Sequence, residues 1–271
     1  MHWILQENLF KEAEWENLVG TLKRFDIPHS IHKVIPFIGE LVPPAEPKQD
    51  NVICFGSYSM RHAAKLHGWK PGVYDLEPIN FQVQLKHWGD MMLNADAKIV
   101  QFKDIHWTEN EPRFLRPIED SKVFAGKLYE WEEFRNWQHN VCMLELDYGN
   151  SLMPSTLVQV CTPKNIYSEY RFWIVDAKIV TASLYKRGDR VIYSKDVDER
   201  FYMFVTNILR YGDITLSMIN NGWQPHKAYV LDVCETEDGI KIVEINTINA
   251  AGFYAGNVQD LIIALEEMEK R

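Results

Sequence analysis

The sequence predicts an α/β N-terminal domain with an open, mostly parallel sheet, followed by an α+β domain built from hairpins. Three observations carry this. The first hundred or so residues alternate short apolar runs with helical periodicity, the order expected where crossover helices join parallel strands. Beyond a polar stretch, Thr108 to Pro112, β-prone runs succeed one another through tight turns. Near the C-terminal end, Lys227 to Asn246 (KAYVLDVCETEDGIKIVEIN) reads as two strands about a Glu237-Asp238-Gly239 turn. The expected domains are therefore 1–110 and 111–271, with the polar stretch between them.

In chain order, His2 to Gln6 is a short strand, and Leu9, Trp15, Leu18, Leu22 and Phe25 give a helix over Leu9 to Phe25. Ser30 to Phe37 and Asn51 to Phe55 are strands, separated by a loop around Pro43-Pro44 and Pro47. Phe55-Gly56-Ser57 ends the second of these; its backbone is placed either to approach a ligand or to make a plain strand-to-helix turn. Ser59 to His67 is helical and stops at Gly68. Phe81 to Asn94 is a helix weakened by Gly89, and Ala97 to Phe102 a strand. Strand signals then run at Lys122–Phe124, Cys142–Leu146, Leu157–Cys161, Tyr170–Val175, Lys178–Tyr185 and Arg190–Tyr193. Asp198 to Tyr211 is amphipathic, with Ser194 or Asp196 near its start and Gly212 at its end. Asn257 caps a last helix, Val258 to Glu269.

Composition narrows the function classes. Hydrophobic content of 46% and charged content of 25% are those of a soluble globular protein. No apolar run approaches the ~18 residues of a membrane-spanning helix, and the acidic turn soon after Met1 does not read as a signal peptide. The net charge of −9 argues against broad nucleic-acid binding, although a local basic cleft is compatible with it. Cys54, Cys142, Cys161 and Cys234 form no C-x-x-C pair and are expected as reduced thiols, which points to the cytoplasm, a host's if the source is viral.

The chemistry concentrates in the C-terminal hairpin. Folded about Asp238, Asp232 lies opposite Glu244, and strand alternation puts Asn246 on the same face. Two carboxylates about 5 Å apart at an effective dielectric near 20 repel by roughly 3 kcal/mol, so the pair calls for a counter-charge. Two carboxylates and an amide suit Mg²⁺ carrying nucleotide phosphates; a solvated sheet face is the competing reading. Cations recur upstream: Arg113 and Arg116 just before the expected strand bearing Lys122, and Arg171 on the same sheet face as Lys186 if Asp176-Ala177 is their turn. Each alone reads as an ordinary surface or paired side chain. Together with the acids they resemble a site that holds a triphosphate. Trp131, Trp137, Trp173 and Trp223 are either core or the lining of an acceptor pocket. No P-loop, kinase or nucleophile-elbow signature is present, and His29-x-x-His32 lacks a second pair of ligands.

Lys122, the run Leu157-Val158-Gln159-Val160, Glu169-Tyr170-Arg171 with its Val175-Asp176-Ala177-Lys178 turn, and Asp232…Glu244-Ile245-Asn246 resemble the ATP-grasp fold in order and spacing. Phe114-Leu115-Arg116-Pro117 with Ser121-Lys122-Val123-Phe124-Ala125-Gly126 looks like the clade named for two arginines and a lysine, found widely in phages and bacteria. Phe55-Gly56-Ser57 and Pro71-Gly72-Val73 are similar to its pre-ATP-grasp domain. The resemblance implies that 111–271 is an ATP-grasp domain with subdomains of about 111–157 and 158–271. It implies that Lys122 contacts the α- and β-phosphates, and that Gln159 and Val160 lie at a hinge where backbone groups read adenine. It implies that Asp232, Glu244 and Asn246 hold two Mg²⁺ ions, and that Arg171 with Lys186 faces the γ-phosphate. Arg116 is left to bind either the acid substrate or a phosphate. Ala125-Gly126 is a thin substitute for the glycine-rich loop of many relatives. The activity implied is an ATP-dependent ligase joining a small-molecule or peptide carboxylate to an amine through an acyl-phosphate. Phosphoryl transfer, or a nucleotide-dependent RNA- or protein-binding module without chemistry, are the alternatives.

Overall fold

A computed structural model describes residues 1–8, 11–108, 111–119, 123–143, 152–210 and 223–271. Two compact units are present: Met1–Leu76 with Ile166–Arg271, and Glu77–Asn165. This division by packing crosses the expected boundary near residue 110.

The first unit opens with the anticipated α/β layer. Strands β1 (His2–Gln6), β2 (His29–Val34), β3 (Leu41–Val42), β4 (Asn51–Phe55) and β5 (Lys70–Gly72) form one sheet in the order β3-β2-β1-β4-β5. All pairings in it are parallel except β2 with β3. Helix α1 is Trp15–Arg24; residues 11–14, expected within it, are not helical, and Leu9 lies outside the described residues. The reason is local. The Asn8 side chain accepts from the Glu12 backbone N–H at 2.7 Å and donates to the Glu12 carbonyl at 3.1 Å, and Lys11 adopts a φ of 53°; this side-chain closure competes with a helical turn. Strand β2 also stops early, where Pro36 has no N–H to donate and Phe37 turns to a φ of 65°. Helix α2 (Met60–His67) ends as expected on Gly68, in the left-handed region. The Gly56 and Ser57 N–H groups donate to Asn249 O and Gln6 Oε1, so this corner is a strand-to-helix turn knitted into its own unit.

Two histidines tie this sheet together. The Lys48 backbone N–H donates to His2 Nδ1, which leaves the proton on Nε2, 3.1 Å from Ser30 Oγ; that hydroxyl lies 2.7 Å from His32 Nε2, whose Nδ1 faces Pro43 O. His2 must be neutral for this, since its Nδ1 is an acceptor. Burial, with His29, His32, Lys48 and the terminal amine nearby, holds the His2 pKa below its ordinary 6.5. The unfolded chain therefore binds more protons, and stability is lost as pH falls from about 6.5 through the folded pKa. Melting temperature is expected to drop more steeply between about pH 7 and pH 5 in the native protein than in His2→Gln. Equal slopes would contradict this.

The same unit continues as an antiparallel sheet in the order β12-β11-β10-β13-β14, from β10 (Ile166–Val175), β11 (Lys178–Arg187), β12 (Arg190–Ser194), β13 (Ala228–Thr236) and β14 (Gly239–Asn246). Asp176 and Ala177 both have positive φ, the two-residue hairpin conformation whose twist matches its strands. On one face Tyr170 and Phe172 pack on α5 (Glu199–Arg210), which Asp198 caps by accepting from the Arg200 N–H. On the other face Trp173, Val175, Ala228 and Val230 join Trp3, Leu5, α1 and the last helix, α6 (Val258–Glu269), in one core. Asn257 caps α6 as expected. The position expected for Gly212 lies outside the described residues.

In the second unit, β6 (Lys98–Gln101), β7 (Arg113–Pro117), β8 (Lys127–Tyr129) and β9 (Leu157–Cys161) make a sheet in the order β6-β9-β7-β8. Helix α3 (Phe81–Trp88) stops where Gly89 turns to positive φ, and a 3-10 turn, Gly89–Met91, replaces its expected continuation. Arg113 and Arg116 are themselves on a strand, β7, while Val123 and Phe124, expected as strand, form a bend. Helix α4 (Trp131–Cys142) is absent from the sequence reading and takes in Cys142, the first residue of the strand expected over Cys142–Leu146, of which 144–146 lie outside the described residues. Its Trp131, Phe134 and Val141 recur at helical spacing and bury against Phe102, Leu115 and Val158. All four cysteines are free; Cys54, Cys161 and Cys234 are buried, and burial pushes each of these thiols up to about 12. Among the described residues no helix is long and apolar enough to cross a membrane.

Candidate active site

Asp232 and Glu244 are direct cross-strand partners on β13 and β14, so they share a face. The route to that register differs from the expected one. The turn is shorter, pairing Thr236 with Gly239, and a bulge that leaves Val243 unpaired restores the offset before Asp232 is reached. Asn246 falls on the same face and donates from Nδ2 to Asp232 Oδ2 at 3.1 Å.

The counter-charge is on the neighbouring strand. Arg171 of β10 stands opposite Asp232, and its Nε and Nη2 donate to Oδ1 and Oδ2, each at 2.8 Å. Arg171 is 7% and Asp232 1% exposed, so this is a buried bidentate pair. Burial pushes the Asp232 carboxyl up while Arg171 draws it down and Glu244 and Glu169 add to the rise. Burial alone would lower the Arg171 pKa, and Asp232 more than offsets it. The guanidinium can only donate, so two short bonds require an accepting carboxylate. Its Nη1 donates to Gly252 O at 3.3 Å, and Tyr254 covers it with the ring centroid 4.6 Å from Cζ.

Lys186 shares this face through two bulges in the β10–β11 pairing, which set it opposite Glu169; its Nζ lies 2.9 Å from Glu169 Oε1. The bulged Tyr185 donates to Glu169 Oε2 at 2.9 Å, and burial raises its pKa, keeping the hydroxyl a donor. Tyr185, Tyr254 and Tyr193 stack with centroids 5.0 Å apart, Tyr254 in the middle at a φ of 50°. The segment bearing Tyr254 is fixed from three sides: Glu12 accepts from the Phe253 N–H, Ser183 from Ala255, and Thr181 from Asn257.

Arg171, Lys186, Asp232, Glu244 and Asn246 therefore occupy one sheet face of the first unit. Arg116, Gln159 and Val160 belong to the second unit, on adjacent strands β7 and β9, where Arg116 pairs with Gln159. Gln159 is buried and its Oε1 accepts from Asn94 at 3.3 Å; Val160 sits between Lys98 and Leu115. Lys122 lies outside the described residues. Gly126 lies against β7, where a Cβ would stand 3.2 Å from Arg116 Cβ and 2.9 Å from the Phe114 ring. Trp131 and Trp173 are core, and Trp137 packs on the same core as Trp131. The sequence reading missed Glu169, Tyr185, Tyr254 and Glu12. Glu169 was signalled by alternation, two positions from Arg171. Tyr254 and Glu12 carry no local signal, because a distant loop brings them in.

The donors suit a hard divalent cation: two carboxylates and an amide, all oxygen. Among the described residues no group of three or more His, Cys, Asp or Glu side chains is placed to hold a metal, so Asn246 and oxygens from outside the chain would complete any such shell.

The structure resembles that of a RimK domain ATP-grasp protein from Sphaerobacter thermophilus, with a TM-score of 0.56 and 11% identity over 99% of this chain and 96% of that one. It resembles D-alanine–D-alanine ligase from Bacillus anthracis, solved with ATP, at 0.58 and 11% over 100% and 98%. A third is the ATP-grasp ligase PsnB, solved with a minimal precursor, Mg and ADP, at 0.51 and 11% over 100% and 98%. At such identities the likeness shows the fold. No curated protein matches this chain. The ATP-grasp domain model for family 3 of the clade named for two arginines and a lysine matches residues 56–265, most of the chain, and the protein belongs to that family.

Proposed function

We propose that the protein is an ATP-dependent carboxylate–amine ligase working through an acyl-phosphate. The observation that carries the reading is the single sheet face on which Asp232, Glu244 and Asn246 stand beside Arg171 and Lys186, in a chain whose fold is shared with solved ligases. A substrate carboxylate oxygen attacks the γ-phosphorus of ATP, and the bond to the β,γ-bridging oxygen breaks, giving acyl-phosphate and ADP. The amine then attacks the acyl carbon; phosphate leaves and the amine proton passes to solvent.

Magnesium, held by Asp232, Glu244 and Asn246, would supply neutralising charge for the phosphates. Arg171 uses three of its five N–H groups on Asp232 and Gly252, so its first task is to keep Asp232 ionised and aimed. The remaining two are its means of reaching the γ-phosphate, with Lys186 beside it. Lys122 takes the α- and β-phosphates, backbone groups at Gln159 and Val160 read adenine, and Arg116 binds the acid or a phosphate. We keep 1–110 and 111–271 as the pre-ATP-grasp and ATP-grasp divisions, and the cytoplasm as the location. Solved neighbours that bind a precursor peptide support a peptide or small-molecule acid as substrate.

The test is product analysis. With Mg-ATP and a panel of carboxylic acids and amines, ADP and free phosphate should appear in equal amounts with an amide of the expected mass. Phosphate retained on the substrate would replace the ligase by a phosphoryl transferase. ADP at background across the panel would favour a binding module.

A further inference from the structure

Strand β12 is an edge. Among the described residues it pairs with β11 alone, and Arg190, Val191, Ile192 and Tyr193 are all exposed, Val191 at 68%. Exposed edges are ordinarily blunted, because their unpaired backbone groups invite another strand. This one combines apolar side chains with exposed arginines. Of the cations around it, Lys186 is paired with Glu169 and Arg187 lines a hollow with Asp196, Asp198 and Glu235, while Arg190 and Lys195 stand exposed, in a chain whose net charge is −9. Arg187, Arg190 and Lys195 make no ion pair among the described residues.

The two faces of the edge differ. Val191 pairs with Lys186 and Tyr193 stacks on Tyr254, so both lie on the face of Arg171 and Asp232. Arg190 pairs with Arg187 on the opposite face, which Ile192 shares by alternation. An added strand would thus meet apolar and aromatic groups on one side and two arginines on the other. We propose that β12 docks an extended peptide substrate, acidic at alternate positions and apolar between, as a further strand of this sheet. Tyr193 links that strand to the Tyr254 stack over Arg171, so a docked segment runs beside the face assigned to catalysis. The proposal names the substrate class of that face and rests on the ligase reading.

Other occupants fit less well. A second copy paired through β12 would place Arg190 of both chains along one seam, adding like charge with no acid on the strand to offset it. Single-stranded nucleic acid is held by successive aromatic platforms, and here one exposed tyrosine stands among aliphatic side chains.

The probe is a fluorescein-labelled nonapeptide alternating glutamate and valine, compared by anisotropy with an isomer in which all the glutamates precede the valines. The alternating peptide should bind at least about tenfold more tightly, protect β12 amides from hydrogen exchange, and lose roughly tenfold in affinity to the Arg187→Ser, Arg190→Ser double variant. Equal binding of the two isomers, no binding, tighter binding of a ten-residue oligouridylate, or a dimer that the double variant abolishes would each overturn it. An ATP analogue with Mg²⁺ titrated into the same preparation separates the two readings. Peptide binding without nucleotide binding refutes the ligase and leaves the docking strand; nucleotide binding without peptide binding does the reverse.

Discussion

Arg171→Met is expected to lower stability by about 3–5 kcal/mol, since it strands Asp232 in the interior with no counter-charge. Methionine keeps much of the side-chain volume, so the loss reports charge more than packing. Among the described residues Asn246 alone would remain bonded to the carboxylate, through one neutral donor. Urea or thermal unfolding monitored by circular dichroism measures the effect. The double variant Arg171→Met, Asp232→Asn should recover more than half of it, because neither charge then remains buried. A loss below about 1 kcal/mol in the single variant would show that the pair is solvated as a surface bridge is. By the same argument Asp232→Asn is expected to destabilise the fold by leaving Arg171 unopposed. It is therefore a poor probe of chemistry.

Glu244→Gln is the clean probe. Glu244 is half-buried and its replacement is isosteric, so unfolding should shift by less than in Arg171→Met. Magnesium-dependent binding of a non-hydrolysable ATP analogue, followed by titration calorimetry, should weaken by about a hundredfold, while weak magnesium-free binding stays unchanged. Turnover should fall by about a thousandfold. Native affinity in this variant would remove Glu244 from the metal shell and with it the assignment of the whole face.

How much was legible follows the range of each interaction. Strands β1, β4 and β9 lie where alternation and turn residues place them, since those signals span only a few residues. Helix α4 was equally legible from Trp131, Phe134 and Val141, and was passed over because β-prone residues beyond it were read as strand. The start of α1 was hidden because Asn8 competes for the Glu12 backbone, a choice that propensity does not resolve.

By itself the sequence determined that Asp232 and Glu244 face one another across a hairpin and that Arg171 and Lys186 share a face, from strand alternation about the turns, and it carried the acid-x-asparagine ending by resemblance to the family. Only the tertiary structure decided that Arg171 grips Asp232, a residue 61 positions away, and that Tyr254 and Glu12 close the surroundings. Those contacts depend on which strands become neighbours and on where bulges fall. Both are settled by burying apolar surface between distant elements, and only the assembled core fixes that outcome.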